Sequence, residues 1–512
     1  MSVIRTQFFT IPTIDLINVP VLFTVVVISP SKMAFFDTIA DLFANQTPSP
    51  SAPEHFLASL GIPSVSIAVL DKGNIEARCF STVGNDEETR FQAASISKPT
   101  AATAVMRLVS QGKLSLDDKL LHHLPEELFK NLGPPTILKQ ITLRHLLTHT
   151  AGFRTSAYTG YANNMPSALD TLLDRNGGHN IAEGLTLLPG MKHAYCGGNF
   201  AMLQLILEKI FDKTFQDLVR ELVFEPLGMS HSSYDMPEHD DKGNYARSWW
   251  TGNEPHDTPW HHHPEFASGG VWTTPTDLLK LIRGIQQSLR ADIPEKDTFL
   301  PQAVAKEMLT QVQQGIAISW FVSRNKNNVF GHFGGNSPCF RCYVVGFANT
   351  TGDVNERDLE EDCGIAVMTN GWEGTDVCCR VVHAVSYAKG WPYMGTLEHL
   401  QEVSIPFRDI SKKINKRWEG WIGEWSSGWK LEKGDDEDPR ASFREFAGLK
   451  LVAAAVPAER EKQGGSIDLL VDGLRIMLRL HYVDAEPVIS LWSGLIFQSE
   501  TLRKRCSTQI TT

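Results

Sequence analysis

The sequence predicts an α+β sandwich whose sheet draws together the two ends of a large domain, followed by a small all-β domain. Three observations lead there. Strand-like runs open the large domain at Val65 to Leu70 and close it at Cys342 to Phe347 and Gly364 to Thr369, with helical segments between. A chain of 512 residues is too long for one core. Beyond Pro392, short alternating apolar runs separated by turn residues replace the helical periodicity.

Taken in order, residues 1–32 read as an N-terminal extension. The apolar run Val19 to Ile28 is too short to span a bilayer, and as a signal peptide it lacks a basic start and a small-residue cleavage site. From Met33 a helix is expected over Phe35 to Phe43, then a Pro/Ser-rich linker, Pro48 to Pro53. Val65 to Leu70, the turn residues Asp71 to Asn74, and Ile75 to Phe80 form a hairpin. Thr100 to Gln111 is helical and stops at Gly112. Further helices are expected over Ile141 to Leu147, opening at Thr142, over Phe200 to Ile210, over Phe215 to Val223, and from Thr276, as cap, through Leu281. Strands resume at Val329. The large domain thus occupies residues 33–395, a linker 396–416, and the all-β domain 417–512. That last part contains tryptophans 418, 421, 425 and 429 and the alternating runs Leu449 to Val456, Ser466 to Val471, Leu474 to Leu480 and Val488 to Trp492. Its strand pattern suggests a barrel.

The composition is 42% hydrophobic and 21% charged, ordinary for a folded protein, with a formal net charge of −11 spread along the chain. Such a balance argues against a nucleic-acid partner, which needs a basic patch. Eight cysteines in this length make no disulfide framework and suit a reducing compartment. Cys339 and Cys342 form a C-x-x-C without the second pair a zinc site requires, and the expected strand from Phe340 places them in different layers. An intracellular protein with no stable membrane span is expected. Asn45 and Asn349 head glycosylation triplets of a kind common by chance.

The sharpest chemical signal is Ala94-Ser95-Ile96-Ser97-Lys98-Pro99, an S-x-x-K pattern. At a helix N-terminus the spacing sets Lys98 beside the Ser95 hydroxyl. A lysine acts as base only where burial or neighbouring cations favour its neutral form. Pro99 is tolerable in the first turn, where amides lack intrahelical partners. Alone the pattern is weak, since a capping serine with a solvated lysine would look the same.

Other stretches stand in company with it: Ile141 to Gly152 (ITLRHLLTHTAG), Leu188-Pro189-Gly190, Tyr195 to Phe200, Glu225 to Met229 (EPLGM), Ser268 to Pro275 (SGGVWTTP) and Gly331 to Gly335 (GHFGG). On these the chain resembles the serine β-lactamase-related family over Pro63 to Pro392. The family takes in class C β-lactamases, D-alanyl-D-alanine carboxypeptidases, D-aminopeptidases, esterases and fungal acyltransferases. The resemblance implies a β-lactamase/transpeptidase-like sandwich, an antiparallel sheet flanked by helices with a helical subdomain. It makes Ser95 the nucleophile, assisted by Lys98, and Tyr195 a phenol that relays its proton. Gly197 stands where the family commonly has an asparagine that holds the substrate's amide. His332-Phe333-Gly334 stands where penicillin-recognising members have K-T-G. His332 would polarise Tyr195 or bind a polar substrate group, as a charged or donating ring. Gly334 would let substrate approach, and the amides of Gly335 and Ser95 would form an oxyanion hole.

Two histidine groups receive structural readings. His256, His261, His262 and His263 are expected in a solvent-facing loop near the cleft mouth, and His145 and His149 as packing or capping residues. The site implies no metal or organic cofactor, and a small-molecule or peptide acyl substrate as partner. Three functions fit: a serine hydrolase, an acyltransferase of secondary metabolism on the same site, and a binding protein that kept the fold without turnover. Substrate identity and oligomeric state stay open.

Overall fold

The computed structural model describes residues 62–391, apart from stretches at 154–159, 176–183, 250–254, 314, 323–328, 349–361, 372–373 and 390, together with Leu57 and six strands between residues 423 and 497. The extension 1–32, the helix expected at Phe35 to Phe43, the linkers 48–53 and 396–416 and both glycosylation triplets lie outside the described residues.

β1 (Ser64–Asp71) and β2 (Asn74–Ser81) form the expected hairpin. Its two turn residues, Lys72 and Gly73, take φ of 54° and 73°, a turn whose twist matches that of the strands. β3 (Phe91–Gln92) leads through a 3-10 turn, Ala94–Ile96, into the long helix α1 (Ser97–Ser110), and Gly112 follows at φ 66°. Then come α2 (Gly198–Phe211), β4 (Trp272–Thr273), α3 (Pro275–Leu289), β5 (Phe321–Val322), β6 (Val329–Asn336), β7 (Phe340–Phe347), β8 (Gly364–Thr369) and α4 (Gly374–Lys389).

The main sheet runs β2-β1-β8-β7-β6-β5, every neighbour antiparallel. β1, from the start of the domain, pairs with β8 near its end, Ile67 opposite Val367. The sheet therefore joins the ends as the strand pattern predicts. Both faces are buried. Val65, Ile67 and Val69 pack with Val377, Val381 and Val385 of α4, whereas Ala68 and Leu70 join the core that holds α1 and α3. Alternation along one strand thus serves two layers.

α3 lies close on the sheet because Gly346 and Gly364 face each other across β7 and β8. A Cβ on Gly346 would stand 2.5 Å from Ile282 Cγ2. This helix departs from expectation: Thr274, not Thr276, is its cap, taking the Asp277 amide, and it runs on to Leu289. Pro275 explains the shift, since its fixed φ suits the first helical position and puts the cap just before it. The segment from Phe215 is α-helical only to Val219 and widens into a π turn at Arg220–Phe224.

A separate core of Leu121, Leu128, Ile141, Leu146 and Phe153 makes a helical subdomain. α2 bridges the two bodies, giving Met202 and Ile206 to this core and Phe200 and Leu203 to the main one. Within the subdomain Thr142 caps a helix at Leu143–Leu147, and His145 returns the capping bond to the Thr142 amide. Cys342 lies in β7 and donates its thiol to the Ala93 carbonyl at 3.0 Å, but Cys339 sits in the turn before the strand, so the pair does not occupy two strand positions. No disulfide joins the described cysteines.

Past residue 417 the described residues are all β. β9 (Gly423–Ser426) pairs with β10 (Lys450–Ala453). β11 (Ser466–Val471), β12 (Leu474–Val483), β13 (Glu486–Leu491) and β14 (Leu495–Phe497) form an antiparallel meander. The expected barrel is not formed by these pairings. They make a two-stranded and a four-stranded sheet, with no ladder between them among the described residues. Among the described residues no helix is long and apolar enough to cross a membrane.

Candidate active site

Ser95 sits in the 3-10 turn that heads α1, and Lys98 in the first turn of that helix. Lys98 Nζ donates to Ser95 Oγ at 3.1 Å and to the Ser268 carbonyl at 2.8 Å, with the lysine 3% exposed. The neighbouring Ser97 is fully buried, its Oγ accepting the Val271 amide at 3.0 Å. Of the two serines, Ser95 is therefore the accessible one. Ala94, just before it, takes φ 49°. That conformation costs an L-residue about 1–2 kcal/mol and here turns the chain sharply so that Ser95 faces outward. The Ala93 amide donating to the Val271 carbonyl at 2.8 Å braces the turn.

Tyr195 precedes α2 and joins the pair through its ring, with Lys98 Nζ 5.0 Å from the ring centroid. Its hydroxyl makes no hydrogen bond to Ser95, so the relay expected from the phenol is not formed in this structure. Beneath Tyr195 lies His149, ring centroids 4.5 Å apart. His149 is fully buried, takes φ 56°, and accepts the Cys196 amide on Nδ1 at 3.1 Å. Burial, then Lys98, His193 and His332, push its pKa well below the usual value, so it is a neutral ring supporting the tyrosine. A packing role was expected for His149; its placement under Tyr195 was not. Gly197 caps α2 and is buried. Asn199, two residues on, does not replace the missing side-chain amide, because its Nδ2 faces the Leu146 carbonyl at 3.4 Å.

β6 brings the third motif. A Cβ on Gly334 would meet the Ala93 carbonyl at 2.3 Å and Cys342 Sγ at 2.4 Å, so only glycine lets this strand lie against the nucleophile's turn. Gly335 follows on the same strand. β5 pairs with β6 only at Phe330 and Gly331, so from His332 onward that edge has no strand partner among the described residues. Asn336 ends the strand, its Nδ2 donating to Gln92 Oε1 and the Gly269 carbonyl, both at 2.9 Å. One side chain thus ties β6 to β3 and to the Ser268 loop.

His332 is 2% exposed, and its Nδ1 donates to the Phe333 carbonyl at 2.5 Å, leaving Nε2 as an acceptor without a partner. Burial, then the charge of Lys98, push its pKa down to about 3. The charged form expected of His332 is disfavoured, because water is excluded and Lys98 lies nearby, and the N–H of the neutral ring goes to the Phe333 carbonyl. Phe321, on β5, covers this ring at 4.9 Å and Tyr195 at 6.4 Å.

The histidine-rich stretch is corrected at its last member. His263 is 4% exposed and sits where a Cβ on Gly160 would strike its ring at 2.7 Å, while His256, His261 and His262 are half-buried and His262 pairs its backbone with Tyr161. His263 is drawn inward because it leads into Glu265 and the Ser268 turn. Glu265 is a residue that sequence reasoning missed. It is 1% exposed, and its oxygens lie beside the Thr171 hydroxyl without a well-formed hydrogen bond. Burial pushes its carboxyl up to about 7, against the pull of its own backbone, Thr171 and Lys98. Among the described residues no three metal-ligating side chains converge.

A serine–lysine pair at the head of a helix, beside the open edge of an antiparallel sheet between helical layers, defines a class: serine hydrolases of this sandwich fold. The family model described as Beta-lactamase matches residues 52–380, and the chain belongs to that family. It is 25% identical over 279 residues to Penicillin-binding protein 4 of Amycolatopsis lactamdurans, covering 51% of this chain and 68% of that protein. It is 22% identical over 297 residues to Protein flp of Staphylococcus aureus, covering 54% of this chain and 56% of that protein. In fold it is similar to the octameric penicillin-binding protein homologue of Pyrococcus abyssi, at TM-score 0.55 and 18% identity over 89% of this chain and 98% of that one. SurE superposes at TM-score 0.52 and 16% identity, over 91% and 99%.

Proposed function

We propose that the protein is a serine hydrolase that acts through an acyl-enzyme on an ester or amide of a small molecule or peptide. The 3.1 Å bond between accessible Ser95 and buried Lys98 carries this reading. Ser95 Oγ attacks the acyl carbonyl as its proton leaves along that same line toward Lys98 Nζ, which accepts it only after releasing a proton of its own. The oxyanion meets the amides of Ser95 and Gly335, the latter on the strand that Gly334 holds against the turn. Tyr195 gives a proton to the leaving group and recovers one from Lys98; water then frees the acyl group, one of its protons returning to Ser95 Oγ. Exposure of Tyr195 at 41% lets its hydroxyl reach a bound substrate. The relatives' penicillin-binding names suggest β-lactam capture, but Gly197 offers no side-chain amide and neutral His332 no charge for a β-lactam carboxylate. Ester or amide cleavage is better supported.

Incubation of the full chain with a fluorophosphonate, followed by intact mass, tests the reading. One adduct is expected in the wild type and none in Ser95→Ala. Equal labelling of both, or none in either, overturns it. Adding acceptor alcohols or amines to the ester reaction then reads transfer against hydrolysis.

A further inference from the structure

Four apolar side chains stand exposed on one rim of the site: Leu188 at 59%, Met191 at 67%, Val312 at 39% and Phe321 at 36%. Backbone links bring them together. The Met191 amide donates to the Leu188 carbonyl, and Gln313 Nε2 donates to the Gly190 carbonyl at 2.7 Å, fastening this loop to the next. Within that second loop Val312 bonds to Ile316, and Ile316 bridges to Phe321. Phe321 in turn lies on Tyr195 and His332. Phe333, also exposed, belongs elsewhere, since it points to the other face of β6 and stacks on Tyr343.

Water is a poor partner for such a rim, and it is continuous with the reacting groups. Charge is scarce on it. Among the described residues Lys98 is the one cation in contact with Tyr195, His332 or Phe321, and it is spent on Ser95 and Ser268. Lys192 is exposed in the same loop and makes no bond or ring contact with those three. His332 lies buried behind Phe321, its Nε2 without a partner and its Nδ1 donating to the Phe333 carbonyl. A carboxylate leaving the site past Tyr195 would meet, among the described residues in contact with these rings, only Lys98, which is already bonded to Ser95 and Ser268.

We propose that the site takes substrates whose leaving group is an uncharged, apolar alcohol or amine, held on the rim of Leu188, Met191, Val312 and Phe321. This rests on the acyl-enzyme reading above, in which Tyr195 protonates the leaving group and so marks its side of the site. The acyl group then faces the open edge of β6. Releasing a free amino acid, as a carboxypeptidase does, is disfavoured.

The test uses the full chain and two ester series. Acetate esters of ethanol, butanol, hexanol and octanol vary the leaving group, and ethyl esters of butanoic, hexanoic and octanoic acids vary the acyl group. In the first series kcat/KM is expected to rise about twofold per methylene, because a half-exposed rim covers about half of each one. The acetate ester of 6-hydroxyhexanoate should fall at least roughly tenfold below hexyl acetate, having lost that apolar contact and gained an unpaired charge. In Leu188→Ser with Met191→Ser the hexyl-to-ethyl ratio should drop toward one. A flat alcohol series, a steeper acyl series, equal use of the carboxylate ester, an unchanged ratio in the double variant, or no turnover of any ester overturns the proposal when Ser95 still takes the fluorophosphonate. Loss of that labelling instead overturns the acyl-enzyme reading itself.

Discussion

Lys98 holds its place through two oxygens, one of which belongs to the nucleophile. Lys98→Met keeps the stem's bulk and removes the proton acceptor. Acylation of Ser95 by an activated ester should slow by about 10²–10⁴-fold, read as adduct formation against time. Two buried titrating groups near it shape stability in opposite senses. Glu265 binds its proton more tightly when folded, at about 7 against 4.5, so it lowers stability as pH rises through that window and holds a penalty of about 3 kcal/mol above it. His332 binds its proton less tightly when folded, at about 3 against 6.5, so its contribution is complete above 6.5 and is lost as pH falls toward 3, by about 5 kcal/mol. Between 4.5 and 6.5 these slopes oppose each other, but His149, whose pKa burial also pushes well below 6.5, adds a second slope in the sense of His332. The wild-type urea midpoint should therefore fall as pH drops below 6.5, less steeply above pH 4.5, where Glu265 opposes the fall, than below it. Glu265→Gln should be the more stable protein above pH 7, and its midpoint should fall steadily from pH 6.5 downward. A Glu265→Gln curve parallel to the wild type across pH 4.5 to 7 would disprove the assignment.

At the scale of elements, the site depends on how near helices and strands can come. α3 rests on Gly346 and Gly364, and a methyl at 346 would run into Ile282 and the Phe330 ring. Gly346→Ala should cost about 1–3 kcal/mol through overpacking, visible as a lower urea midpoint. Ser95 labelling should persist wherever the variant is folded, because α3 lies beneath the sheet and not beside the nucleophile. The helix heads behave differently. Thr142 and Thr274 cap by accepting amides three residues on, a local signal that a sequence displays. The turn at Ala94 is held against its own preference by β3, Val271 and β6, a tertiary arrangement no local rule announces.

Over the whole molecule, the reacting groups come from distant parts of the chain: the head of α1, the loop before α2, and β6. Asn336 binds β6 to β3, which leads into the head of α1, and to the Ser268 turn, through Gln92 and Gly269. Asn336→Ala leaves both buried carbonyls without their donor and should cost about 1–3 kcal/mol. If the clamp also sets the distance between β6 and Ser95, acylation in the folded variant should slow as well. A lower midpoint with unaltered acylation would restrict Asn336 to a structural part.

What the amino-acid order determined by itself was set by short-range chemistry. Ser95 and Lys98 are one helical turn apart, Gly73 and Gly112 mark a turn and a helix end, and β8 has the bounds its apolar run predicts. The ordered motifs also identified Tyr195, His332 and Gly334 as neighbours of that pair. Only the tertiary structure decided what each neighbour is there. Burial favoured the neutral ring of His332 and turned its N–H to the Phe333 carbonyl, drew His263 and Glu265 inside, set His149 beneath Tyr195, and placed Phe321 over the rings of Tyr195 and His332. The reason is physical: a side chain's protonation and contacts depend on how much water and charge surround it, and residues far apart in the chain supply that surrounding.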